Sequence, residues 1–211
     1  KSTQSEFECY GGGKAFNLYL MQQKHIPVPK FIVISDNFFQ SFKNHNNLNT
    51  QLAAVQNNVS SLAAIETAIL NASFTEQQVT MIKNVLQEEK LLGKHLAIRS
   101  SGAYEDSKDH SFAGMFSSFL FKKSLDEILT SIKKCWASAF TERNIEYRLK
   151  NNFSLEQIKM GVVIQRMIHS EVSGVMFTRN PINLSDTQGI TIEALWGQCE
   201  GLVSGQLDSD K

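Results

Sequence analysis

The sequence predicts a mixed α and β protein in two lobes, and three observations carry that expectation. Helical patterns with their own start signals dominate the first half of the chain. Three apolar runs rich in β-branched residues, at 160–168, 174–178 and 190–196, crowd into the second half. The length of 211 residues allows one large domain or two small ones.

The elements follow in order. Tyr10-Gly11-Gly12-Gly13-Lys14 leads into a helix with Ala15, Leu18, Tyr19 and Gln22 on one face, closed by Pro27 and Pro29. "FIVIS" (31–35) reads as a strand, and Ser35 or Asp36 caps a helix bearing Phe38, Phe39 and Phe42. Residues 43–58 are rich in Asn and Gln and read as a loose connection or irregular helix. Helices follow at 60–70 and 75–92, the second opened by a capping box of Thr75 with Gln78 and closed at Gly93. Leu96–Arg99 and "FSSFLF" (116–121) are strands. Ser124 with Glu127 is a second capping box, opening a helix to about Phe140 that continues through 142–151. The strands at 160–168 and 174–178 are joined by a short link that suits a hairpin.

Composition narrows the class. Apolar residues make up 42 %, charged residues 20 %, and the formal net charge is zero. Neither a nucleic-acid footprint nor a membrane-binding face is expected. No apolar run approaches the roughly 20 residues that a spanning helix needs, and no apolar signal core follows Lys1–Glu6. Cys9, Cys135 and Cys199 are odd in number and far apart, which points to a reducing, cytoplasmic setting rather than a disulfide framework. The five histidines are scattered, and neither His169 with Glu171 nor His110 with Asp109 has a third neighbour at metal spacing.

Five features carry potential chemistry, and each has a plainer alternative. Three glycines before a helix, with Lys14, fit phosphate at a helix N-terminus, or form a flexible turn. Arg99 closes an apolar strand at the sheet rim, where its donor fork suits phosphate or carboxylate, or it pairs with Glu105, Asp106 or Asp109. The long polar loop ending at Gly114 leads into Ser117 and Ser118, whose hydroxyls suit phosphate oxygens; it is a lid or a connection. The strand containing Gln165, Arg166, Met167 and Ile168 either presents backbone to a purine or is a core strand with a wet face. Glu193 and Glu200 bracket "LWGQC" and suit ribose, Mg²⁺ or a cationic partner, unless Glu200 caps a helix near Gly201.

Taken in order, these pieces form a pattern: Gly-Gly-Lys-Ala-x-Asn-Leu from Gly12, "IPVP", "IRSS" ending the strand at 98–101, an "ED…SFAG" loop, "CWASAF", "VVIQRM", "SGVMFTRNP" and "EALWGQCE…VSG". Over essentially its whole length the chain resembles the N-terminal nucleotide-binding domain of the phosphoenolpyruvate synthase and pyruvate phosphate dikinase family, a domain that rifampin phosphotransferases also carry. The resemblance implies an α+β, ATP-grasp-like fold, its N-terminal part, with two lobes, mixed sheets and flanking helices. It divides the chain into a mostly helical first subdomain at 1–98 and a β-rich second subdomain at 99–211, with a long helix near 124–150.

The resemblance also implies a reaction. ATP, pyruvate and water give AMP, phosphoenolpyruvate and phosphate: one phosphoryl group of ATP passes through a phosphohistidine on a separate domain to pyruvate, and the other is released as phosphate. An antibiotic acceptor, or a non-catalytic nucleotide-sensing module, is the alternative. Lys14 and Arg99 match the catalytic, phosphate-holding cations. Gly114, Ser117 and Ser118 match the glycine lid, Gln165 to Ile168 the adenine strand, and Glu193 and Glu200 acidic site positions. The family's Mg²⁺ ligands lie in a later Glu…Gln-(Ser/Thr)-Arg-Pro segment, expected beyond the end of this chain together with the phosphohistidine and acceptor domains. This chain alone is therefore expected to bind Mg·ATP weakly and not to turn it over. It differs from the family at Met115-Phe116, where polar residues are usual, and at Cys199, where the family has glycine.

Overall fold

The computed structural model describes residues 11–56, 62–102, 117–150, 158–179 and 189–203. The chain falls into two compact units, Lys1–Met167 and Ile168–Lys211. The subdomain boundary expected at 98/99 lies inside a strand of the first unit, Leu96–Gly102.

The first unit is built on a four-stranded antiparallel sheet in the order β1-β4-β2-β3, formed by β1 (Phe31–Ile34), β2 (Leu96–Gly102), β3 (Ser118–Lys122) and β4 (Met160–Arg166). Register dictates what each face carries, because residues directly opposite share a face and neighbours along a strand alternate. One row across the sheet is Ile32–Ile164–Ile98–Phe119, and beside it run Ile34 and Val162. That face is the core. Against it pack α2 (Asp36–His45) and α6 (Leu125–Ala137); α4 (Leu62–Asn71) packs on α6 and α3 (Leu48–Gln56) on α4, and α5 (Glu76–Glu88) adds Ile82 and Leu86 to the same core. Trp136 is its centre, stacked on Phe39 at 4.8 Å and tilted against Phe42 at 4.9 Å and Phe74 at 5.7 Å. Each such aromatic pair adds about 0.5–1.5 kcal/mol beyond the area it buries.

The opposite face differs in kind. Its rows are Val33–Val163–Arg99–Ser118, then Gln165 with Ala97, then Gly161 with Ser101. Helix α1 (Gly12–Gln23) packs against β2 and β4. The second unit contains a two-stranded antiparallel ribbon of β5 (Val172–Phe177) and β6 (Thr191–Trp196), followed by the short α8 (Glu200–Val203).

Several expectations are met and several are corrected. Both capping boxes form: Thr75 Oγ1 accepts the Gln78 N–H, and Ser124 Oγ accepts that of Glu127. Of the two readings of the Asn/Gln-rich stretch, its described residues take the helical one; α3 forms there because Leu48 and Leu52, four apart, are buried in the core. The expected hairpin between 160–168 and 174–178 does not form, since β4 is paired on both sides by β1 and β2, and β5 pairs β6. The sheets are antiparallel among the described residues rather than mixed. The long helix near 124–150 breaks at a 3₁₀ turn, Ser138–Phe140, before α7 (Glu142–Lys150). There the Ser138 hydroxyl donates to the Cys135 carbonyl at 2.7 Å, and Thr141 turns to an extended backbone. Ser35 is the N-cap of α2 but makes no side-chain cap. Asp36 instead is buried, and its Oδ1 accepts the Met160 N–H at 3.0 Å, tying α2 to the start of β4.

Candidate functional site

Strand β2 delivers its side chains alternately to core and opposite face. Leu96 and Ile98 go to the core, while Ala97, Arg99 and Ser101 share the other side. Arg99 is half-buried, directly opposite the exposed Ser118 on β3 and Val163 on β4. The acidic partners considered for it, Glu105, Asp106 and Asp109, lie outside the described residues, as do Gly114, Met115 and Phe116.

Arg99 does not close the strand as expected: β2 runs on to Gly102, which leaves Arg99 in its middle, and it is the first turn of α1, carrying Lys14, that docks against the end of β2 at Ser101. The helix begins at Gly12, whose φ of +79° favours glycine. A Cβ at this position would stand 2.1 Å from the Ser101 carbonyl oxygen and 2.7 Å from Ser101 Oγ. Lack of a side chain therefore sets how closely helix and strand approach. The buried Ser101 hydroxyl then accepts the Ala15 N–H at 3.1 Å, satisfying a donor of the first turn beside Lys14. Lys14 is half-buried and its charge reaches the Cys135 thiol. Burial pushes that thiol up to about 12, and the Lys14 ammonium pulls against the rise. Cys135 Sγ lies 3.8 Å from the Ile98 carbonyl and 3.9 Å from that of Ser117. Arg99, Ser117 and Ser118 are thus placed at one end of the β2–β3 pair, and the Lys14 charge acts on the Cys135 thiol beside the Ser117 carbonyl. The Ser117 carbonyl is taken up internally by the Ser100 N–H at 3.2 Å and the Ser100 hydroxyl at 3.0 Å.

The expected adenine strand is placed differently from a free edge. Gln165 is buried, and its Nε2 donates to the Pro29 carbonyl at 3.2 Å. The Arg166 N–H donates to the Lys30 carbonyl at 2.8 Å and the Met167 N–H to the His95 carbonyl at 2.9 Å, so both donors are engaged in the fold.

In the second unit, Ile168 is exposed, and its carbonyl accepts from Gln198 Nε2 at 2.7 Å. A second tie joins the same segments, from the Gly197 N–H to the Glu171 carbonyl at 2.7 Å, with Gly197 at φ +84°. Glu193 is half-buried on β6 opposite Val175, and Glu200 is exposed as the first residue of α8. No group of three or more His, Cys, Asp or Glu that could hold a metal ion is found among the described residues. Nor is any helix among them long and apolar enough to cross a membrane.

Sequence reasoning missed Ser101 and Asp36 as organising residues. The signal for Ser101 was the second serine of the "RSS" end, two positions from Arg99 and therefore on its face.

Fold and site define a class: an α+β domain in which a glycine-started helix bearing Lys14 docks on the strand bearing Arg99, residue types suited to a phosphorylated ligand. Residues 10–211 match the pyruvate phosphate dikinase AMP/ATP-binding domain, and the chain belongs to that family. It is similar to an uncharacterized phosphotransferase of Bacillus subtilis, with 33 % identity over 94 % of this chain and 23 % of that protein. A probable phosphoenolpyruvate synthase of Archaeoglobus fulgidus is 33 % identical over 94 % of this chain and 28 % of its own length. The rifampicin phosphotransferase of Bacillus subtilis is 39 % identical over 62 % of this chain and 15 % of its own. The chain spans less than a third of the length of these relatives.

Proposed function

We propose that the chain is the ATP-holding part of a cytoplasmic phosphotransferase of the phosphoenolpyruvate synthase type. The protein would convert ATP, pyruvate and water to AMP, phosphoenolpyruvate and phosphate through a phosphohistidine outside this chain. One observation supports the reading: the helix turn that bears Lys14 docks, through the Gly12–Ser101 contact, on the strand that bears Arg99. Two fixed cations neutralise phosphate charge and orient the chain of phosphates, which is most of what phosphoryl transfer asks of a protein. Gly114, Ser117 and Ser118 would close over the phosphates. The strand end at Gln165–Ile168 would flank the base, and Glu193 and Glu200 would serve the ribose or the metal. Mg²⁺ would supply charge neutralisation on the phosphates. The described residues gather no cluster of three or more His, Cys, Asp or Glu for it.

An antibiotic acceptor is the second reading, favoured by the 39 % identity to the rifampicin phosphotransferase. The test is a product assay on the full-length protein with Mg·ATP and either pyruvate or rifampicin. AMP and phosphate in equal amounts, dependent on pyruvate, support the first reading. The same products dependent on rifampicin support the second. ADP as the product contradicts both, and nucleotide binding without turnover supports a sensing module. This chain alone is proposed to bind Mg·ATP more weakly than about 10 µM, roughly −7 kcal/mol, and to release no AMP.

A further inference from the structure

We infer that Ser101 is a positioning residue, which sets Lys14 against Arg99 so that both cations address one phosphate chain. The inference rests on the phosphate-site reading above and extends it to a residue that touches no ligand. Three features of the structure converge on it.

First, Ser101 is fully buried and on the same strand face as Arg99, two residues away, so the position of one fixes the other. Second, its hydroxyl accepts the Ala15 N–H at 3.1 Å, one residue from Lys14, and so anchors the helix turn that carries the lysine. Third, Gly12 approaches Ser101 more closely than any other residue type would permit, with its would-be Cβ 2.5 Å from the Ser101 carbonyl carbon. The contact is therefore a tight, directional joint between two elements that each deliver one cation. An alanine at 101 keeps the strand and removes the acceptor. The Ala15 N–H is then buried without its partner, and the first turn of α1 is free to shift. Lys14 loses its register with Arg99 while both charges remain.

A joint of this kind has a signature that a purely structural serine lacks. Its effect on ligand binding must pass through Lys14. The experiment is a double-mutant cycle on the full-length protein, with titration calorimetry of Mg·ATP and, separately, adenosine. Ser101→Ala is expected to weaken Mg·ATP about tenfold, with adenosine within about twofold. In a Lys14→Ala background the same change should cost less than about twofold, because the residue it positions is gone.

Equal losses in both backgrounds would overturn the inference, as would unchanged Mg·ATP binding by Ser101→Ala. So would a Ser101→Ala protein whose thermal unfolding shows that it no longer folds, since the role would then be structural. Failure of the underlying reading looks different: Lys14→Ala and Arg99→Ala would each bind Mg·ATP as the unaltered protein does.

Discussion

The two faces of the four-stranded sheet share the same strands and do opposite work. On one, Ile32, Ile164, Ile98 and Phe119 line up beneath Trp136 and the phenylalanines of α2. On the other, the row one residue away is Val33, Val163, Arg99 and Ser118, and a helix docks beside it through a glycine and a serine. A single-residue step along β2 leads from a core position to a candidate site position, because the side-chain period of a strand is two. Stability should therefore be concentrated on the first face and ligand recognition on the second, so substitutions on the two faces should separate the properties.

The largest expected effect lies on the core face. Trp136→Ala opens a cavity among four phenylalanines, Phe38, Phe39, Phe42 and Phe74, and should cost about 3–5 kcal/mol in denaturant unfolding. Trp136→Phe should cost much less, since it keeps a ring and removes an indole N–H that has no partner among the described residues. A smaller loss for the alanine than for the phenylalanine variant would break the picture of an aromatic centre.

Gly12→Ala comes next and probes the joint between the faces. The new methyl would meet main-chain atoms of Ser101, which cannot move aside as a flexible side chain does, and φ is +79°. A stability loss of more than about 1 kcal/mol is expected. A fall in Mg·ATP affinity should accompany it, because α1 carries Lys14. Lost stability with intact nucleotide binding would separate the helix start from the site.

The smallest effect is local and sharpens the contrast by touching neither face. Hydrogen bonds from the Ser124 and Lys123 N–H groups and the Ser124 hydroxyl hold the Glu127 carboxyl down at about 2, against an ordinary 4.5. The folded value is depressed, so the stabilisation is complete above 4.5 and fades as pH falls toward 2. Urea midpoints of the unaltered protein and Glu127→Gln should differ slightly at neutral pH and converge across that interval. A gap that widened on acidification would contradict the sign.

Much of this architecture was readable locally, and what was not depended on distant partners. The capping boxes Thr75/Gln78 and Ser124/Glu127 are contained within four residues each, so sequence spacing sufficed. The helix at Leu48–Gln56 was hidden under Asn and Gln, because burial of Leu48 and Leu52 by the rest of the fold outweighs weak propensity. Pairing was the least legible: β4 bonds β1 across more than a hundred residues, and a short link after β4 imitated a hairpin. Lys14 and Arg99 stood out as candidates from their charges and contexts. Ser101 did not: its place two positions after Arg99 gives it the same face, but nothing local marks the amide it accepts from a helix 86 positions away.

Arg99→Ala tests the division between the faces most directly. Mg·ATP affinity and the urea unfolding midpoint should be measured together on the full-length protein, alongside Ile98→Ala on the adjacent residue of the same strand. Arg99→Ala should lose at least about tenfold in affinity while stability stays within about 1 kcal/mol, and Ile98→Ala should lose about 2–5 kcal/mol of stability. Unchanged affinity in Arg99→Ala, or a stability loss equal to that of Ile98→Ala, would contradict the account.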